Sequence, residues 1–184
     1  AGKAVPVLVG LPAGVSEDRL KALGAAAAAT GSVGMFHVVG STPEAPTLET
    51  ALGGRPAGTE IRVGLDEIRT ARDRLSTTAD VGLRTVSLGT PHYSVAQMGR
   101  LVELLGDRRV HDQVAVYAST GRDVLHEVEL RGWVDRLTAA GVQLVTDTCT
   151  YFTSIIEDTS RTTMTDSAKW AYYAPGNLGV EVVL

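Results

Sequence analysis

The sequence predicts an α/β fold: a mostly parallel sheet covered by helices on both faces. Short β-branched runs alternate along the chain with longer helical patterns, the order that builds parallel sheets. Most of the runs are continuously apolar instead of alternating, as strands covered on both sides are. Hydroxyl and acidic residues open the helical patterns and glycine closes them. With 184 residues, 44% hydrophobic and 21% charged, the chain can bury about 70% of its unfolded surface. A disordered tail, a disulfide mini-protein and a coiled coil are excluded.

The first strand is read at Val5–Val9. Ser16, followed by Glu17 and Asp18, opens a helix that runs to about Ala29, because a hydroxyl cap and an acidic first turn satisfy its free amides and dipole. The all-small stretch 24–29 in that helix predicts close packing on the sheet. A second strand follows at Val33–Val39, then a Gly-, Pro- and Thr-rich loop over 40–59 with a short helix inside it. Loops of such length are often functional. Helix Leu65–Ser76 carries Arg and acidic residues at helical spacing. Strand Arg84–Leu88, helix Ser94–Leu105, strand Gln113–Tyr117, helix Arg122–Ala140 stopped by Gly141, and strand Val142–Thr146 follow. Asp166 or Ser167 caps a short helix, and Val180–Leu184 completes the strands. With no repeat and no linker, residues 1–184 read as a single domain; its apolar ends suggest a segment of a longer chain.

Formal net charge is −4 and no basic run occurs, so a nucleic-acid partner is not expected. No apolar run approaches the roughly 20 residues of a membrane helix and the start lacks a signal peptide's flanks, which points to a cytoplasmic protein without membrane contact. Cys149 is the single cysteine; it reads as a buried small hydrophobe, a nucleophile or a metal ligand. Gly-x-Gly-x-x-Gly after the first strand, a phosphate loop, a Gly-x-Ser-x-Gly elbow and His-Glu-x-x-His are all absent from the sequence.

Polar clusters stand where the predicted strands end, and open α/β sheets bind ligands at the carboxyl ends of their strands. After the second strand come His37 and the Thr42-Pro43-Glu44 loop; after the third, Gly89-Thr90-Pro91-His92-Tyr93-Ser94. Ser94 can cap the next helix, and His92 is a titratable ring at that helix's positive end. Then come Thr146-Asp147-Thr148-Cys149-Thr150 and, last, Met164-Thr165-Asp166-Ser167-Ala168-Lys169 running on to Trp170, Tyr172 and Tyr173. Bland readings compete with each. His37 fits a satisfied core histidine, while His111 and His126 fit solvated surface groups. The aromatic trio fits core packing as well as a pocket wall. Asp147 and Cys149 point to one side if the strand persists that far. Lys169 opposes the dipole of its helix's first turn, a placement that a carboxylate ligand would relieve; a solvated lysine on a capped turn is the alternative.

Together the pieces Phe36-His37, 40–47, 89–94, Asp147-Thr148-Cys149 and 164–176 resemble the aconitase X family, dehydratases related to aconitase. The resemblance implies an aconitase-like α/β domain of a hydro-lyase that removes water from a small hydroxy acid such as cis-3-hydroxy-L-proline. It implies an iron or iron-sulfur centre with Cys149 as one ligand and Thr148 beside it, the remaining cysteines lying outside this chain. It also implies a small swivelling domain or subunit as partner. On this reading His92, Ser167 and Lys169 are the catalytic candidates, Ser167 and Lys169 through the substrate carboxylate. Thr42, Glu44, Ser94, Thr146, Asp166 and Tyr172 are the candidate substrate contacts. The chain departs from the family's pattern at Asp166 and Ala168, where Asn and Gly are usual, and at Tyr172, where His is usual. A non-catalytic subunit or a small-acid-binding module with the same fold is the competing expectation.

Overall fold

The computed structural model describes residues 4–79 and 82–184. Where the sequence suggested a single domain, the chain divides into two compact units, 1–69 and 70–184. The boundary falls inside a helix, α3 (Leu65–Leu75), so no Pro- or Gly-rich linker marks it in the sequence.

The first unit holds β1 (Val7–Leu8), α1 (Glu17–Gly31), β2 (His37–Val38) and α2 (Leu48–Leu52) before the start of α3. The strands β1 and β2 pair in parallel, Val7 opposite His37. Both are shorter than the apolar runs predict, because a strand is held by what covers it and Val38 and Ala45 are the buried hydrophobics of this unit among the described residues. The Ser16 hydroxyl accepts from Arg19 N at 3.4 Å to start α1, and Ser32 ends it in the left-handed region at φ 53°. The small-residue stretch allows close packing at Gly24, where an added Cβ would lie 3.1 Å from the Phe36 ring just before β2. In the loop after β2, the Thr42 hydroxyl accepts from Val38 N at 3.1 Å and faces Val38 O at 3.2 Å.

The second unit runs β3 (Leu83–Tyr93), α4 (Val95–Leu105), β4 (Ala115–Thr120), α5 (Arg122–Leu130), α6 (Trp133–Ala140), β5 (Val142–Thr146), β6 (Thr162–Thr165), α7 (Ala168–Leu178) and β7 (Val182–Val183). Its sheet has the order β5-β4-β3-β6-β7, and every pairing is parallel. The chain winds outward from β3 through β4 to β5, then returns to the other side of β3. Right-handed crossovers in opposite directions place helices on opposite faces. The core agrees, since Met98, Val102, Val128 and Leu137 pack with Val116 and Ala118, while Trp170, Ala171 and Ala174 pack with Tyr117, Val145 and Val182. Neighbouring residues of β4 thus face opposite cores, the period-two pattern of a strand covered on both sides.

Three boundaries differ from the sequence reading. The helix expected over 122–140 breaks into α5 and α6 where Gly132 takes φ 68°. The third strand does not stop at Leu88 but continues to Tyr93, and β4 lies at 115–120. Strand β6 was not foreseen, because Thr162-Thr163-Met164-Thr165 looks polar; yet its three threonines are buried, and β-branched hydroxyl residues suit a covered pleat.

Candidate active site

Strand order reverses between β3 and β6, and at such a switch point the crevice beyond the strand ends is where ligands bind. The exits of β3 through β6 meet there through hydrogen bonds.

Gly89 begins the exit of β3 at φ 78°, where an added Cβ would lie 2.2 Å from Ser119 O, so only glycine allows this approach. Leu88 pairs with Ala118 and Tyr93 with Thr120, leaving residues 89–92 bulged opposite Ser119. The Thr90–Pro91 peptide is cis. The bulge re-aims side chains, the usual effect of such irregularity. His92 Nε2 stands 3.1 Å from Thr148 O; a carbonyl only accepts, so Nε2 is the donor in this bond. The Tyr93 hydroxyl donates to Asp166 Oδ2. Burial, then the Asp166 charge and hydrogen bond, push the Tyr93 phenol far above its usual range, so it stays a neutral donor. Thr120 Oγ1 donates to Tyr93 O at 2.8 Å.

At the exit of β6, the Ser167 hydroxyl donates to the Thr90 carbonyl and accepts from Trp170 N at 3.0 Å, capping α7. Lys169 is half-buried in the first turn of α7, and among the described residues it has no ion pair with a carboxylate. The Thr90 hydroxyl is buried with no hydrogen-bond partner among the described residues.

At the exit of β5 the sequence expectation needs correcting. The strand ends at Thr146 and Asp147 turns at φ 59°, so Asp147 and Cys149 do not continue an alternating strand. Asp147 N donates to Thr120 O at 2.9 Å. Its carboxylate accepts from Arg122 N at 3.0 Å and Arg122 Nε at 2.6 Å, bonds that hold the carboxyl below the usual range. Cys149 is half-buried, and its carbonyl accepts from Phe152 N and Thr153 N, both at 3.0 Å. Thr148 Oγ1 meets Thr153 Oγ1 at 2.6 Å. Thr150 anchors the segment from below: it is fully buried, 2.6 Å from the Ser87 hydroxyl, and accepts from Trp170 Nε1 at 2.8 Å.

The exits therefore hold His92, Thr146, Thr148, Cys149, Asp166, Ser167 and Lys169 of the predicted residues. Ser94 caps α4 through a reciprocal bond with Gln97. Tyr172 is 48% exposed and packs edge-on against Tyr173, which stacks on Tyr151. Thr42 and Glu44 belong to the first unit. Tyr93, Thr120, Arg122 and Thr150 are the participants that sequence reasoning left without a role. The signal for Arg122 was its place after a strand, hidden because β4 was read too early.

An open parallel sheet whose polar side chains gather where strand order reverses is of the doubly wound α/β class, whose members bind ligands at such a reversal. The chain belongs to the aconitase X family: residues 83–184 match the family model described as the aconitase X third domain, and residues 1–73 match the second. It is 42% identical over 167 residues to a cis-3-hydroxy-L-proline dehydratase of Pseudomonas aeruginosa, covering 90% of this chain and 29% of that protein. It is 35% identical over 185 residues to a phosphomevalonate dehydratase large subunit of Methanothermobacter thermautotrophicus, covering 100% of this chain and 44% of the relative. The chain thus spans less than half the length of these curated relatives. In structure it is similar to aconitase X of Thermococcus kodakaraensis in its holo-form, with TM-score 0.83 and 24% identity, over 100% of this chain and 45% of the other, a likeness of fold. Among the described residues, no helix is long and apolar enough to cross a membrane.

Proposed function

We propose that this chain is part of a hydro-lyase that removes water from a small hydroxy acid, with cis-3-hydroxy-L-proline the favoured substrate. The supporting observation is the convergence at the β3/β6 reversal of His92, Tyr93, Asp166, Ser167 and Lys169, joined through Thr148 to the Cys149 segment. The names of the similar dehydratases point to the same chemistry.

Such a reaction takes the proton from the carbon bearing the carboxylate, breaks the C–O bond on the next carbon and leaves a double bond and water. Lys169 and the open amides at the start of α7 would receive the carboxylate, relieving the misplaced charge of Lys169. The Ser167 hydroxyl, bound to the Thr90 carbonyl and Trp170 N, would hold that turn against β3. His92, oriented by its bond to Thr148 O, would take the proton. Ser94, Thr146 and Thr148 would line the polar wall.

Cys149 suits one ligand of an iron or iron-sulfur centre: a half-buried thiol in a turn anchored by Thr150. Among the described residues no group of three or more His, Cys, Asp or Glu could hold a metal, so the centre would be completed by residues beyond these 184. Bound iron would supply Lewis acidity for the departing hydroxyl. A small swivelling domain or subunit would complete the enzyme, which we place in the cytoplasm.

The test uses the full-length protein purified without oxygen. Iron and acid-labile sulfide are quantified in wild type and in a Cys149→Ser variant shown to be folded, beside ultraviolet detection of the new double bond. Near-stoichiometric iron that vanishes with the serine, together with turnover, is the expected result. Iron indifferent to the substitution would overturn the ligand assignment, and absence of turnover across hydroxy acids would overturn the reaction.

A further inference from the structure

Asp166 is an anion where the proposed substrate is an acid. The carboxylate is exposed at the end of β6, and its Oδ2 is held by the Tyr93 hydroxyl from the neighbouring strand. That bond crosses the strand-order reversal, so the carboxylate is tethered at the crevice. Nothing described pairs its charge: Arg122 at the same end of the sheet is engaged by Asp147 at 2.6 Å. Three residues along the chain, the unpaired Lys169 stands in the first turn of α7.

The end of β6 and the first turn of α7 thus carry a negative and a positive group three residues apart. A purely anionic acid gains from Lys169 but is repelled by Asp166, and a phosphorylated hydroxy acid, with more negative charge and no cation, is repelled more. An α-imino or α-amino acid carries its ammonium and its carboxylate on one carbon, and so presents both signs within a few ångströms.

We propose that Asp166, positioned by Tyr93, reads the ammonium of a zwitterionic substrate and sets the specificity of this protein toward hydroxylated imino or amino acids over phosphorylated or simple hydroxy acids. The assignment rests on the hydroxy-acid reading above and deepens it. Tyr93 acts as a positioning residue, fixing one carboxylate oxygen so that the other can meet the ammonium. A charge-assisted contact of this kind discriminates mainly through the partner that cannot make it.

The experiment compares two ligands of the same ring size, L-proline and cyclopentanecarboxylate, which lacks the nitrogen. Binding to the full-length protein is measured by calorimetry, so the readout does not depend on turnover. Wild type is expected to prefer L-proline by about tenfold or more. Asp166→Asn is expected to abolish most of that preference by weakening L-proline alone. Tyr93→Phe is expected to lower the preference partway, without the equal loss for both ligands that a merely structural role would produce. Equal weakening of both ligands by Asp166→Asn, an unchanged preference, or a wild type that binds neither ligand would each overturn the assignment. Selective binding of L-proline without turnover of any hydroxy acid would sink the reaction and leave the role of Asp166 standing.

Discussion

Replacing Thr150 by valine isolates the anchor beneath the Cys149 segment. The two side chains are nearly the same shape, so no cavity opens, and the change removes one hydroxyl. That hydroxyl serves two buried partners, the Ser87 hydroxyl at 2.6 Å and the Trp170 indole N–H at 2.8 Å, neither more than 1% exposed. Leaving a buried polar group unpaired costs about 1–3 kcal/mol. Two orphans therefore cost about 2–6 kcal/mol, offset by roughly 1 kcal/mol for the added apolar group. A net loss of about 1–5 kcal/mol corresponds to a fall in Tm of about 2–20 °C for a chain of this size. Urea denaturation followed by tryptophan emission measures it. Ser87→Ala supplies the other corner of a double-mutant cycle, and the double variant should lose less than the sum by about 1 kcal/mol, because both changes delete the same bond. A loss below about 0.5 kcal/mol for Thr150→Val, or additivity within about 0.5 kcal/mol, would refute the view that this network holds the segment.

Two further outcomes follow from the exit of β3. Gly89→Ala meets both a φ of 78° and the Ser119 carbonyl at 2.2 Å; left-handed strain of about 1–2 kcal/mol and overpacking of about 1–3 kcal/mol add to a loss of about 2–5 kcal/mol, seen as a lower urea midpoint, whereas Gly176→Ala, with nothing within 4 Å of the added Cβ, should cost little. Tyr93 holds its proton in the folded protein well above its usual range, by burial first and then by Asp166. The unfolded chain releases that proton near pH 10, so stability present below about pH 10 is lost as pH rises beyond it. Tyr93→Phe should flatten part of the fall in urea midpoint between about pH 9 and pH 11.

Much of this molecule was legible from residue order alone. Local signals are short-range and additive, so Ser16, Ser94 and Ser167 marked helix starts that the structure retains. The continuous apolar runs announced a parallel sheet covered on both faces, because no other surroundings tolerate them. The clusters around His92, Cys149 and Ser167 stood at strand exits, where the fold brings them together.

What lay beyond the sequence depends on contacts between distant segments. Val33–Phe36 is as apolar as a strand, yet only two residues of that region pair, since pairing needs a cover that local pattern does not supply. The polar run Thr162–Thr165 becomes an inner strand because β3 and β7 flank it. Strand order itself, β5-β4-β3-β6-β7, decided that the exits of β3 and β6 are neighbours. That adjacency joins Tyr93 to Asp166 across 73 residues of chain. Residue types and caps are properties of a few adjacent positions, and the sequence determined them; which side chains share the crevice is a property of topology, and only the tertiary structure decided it.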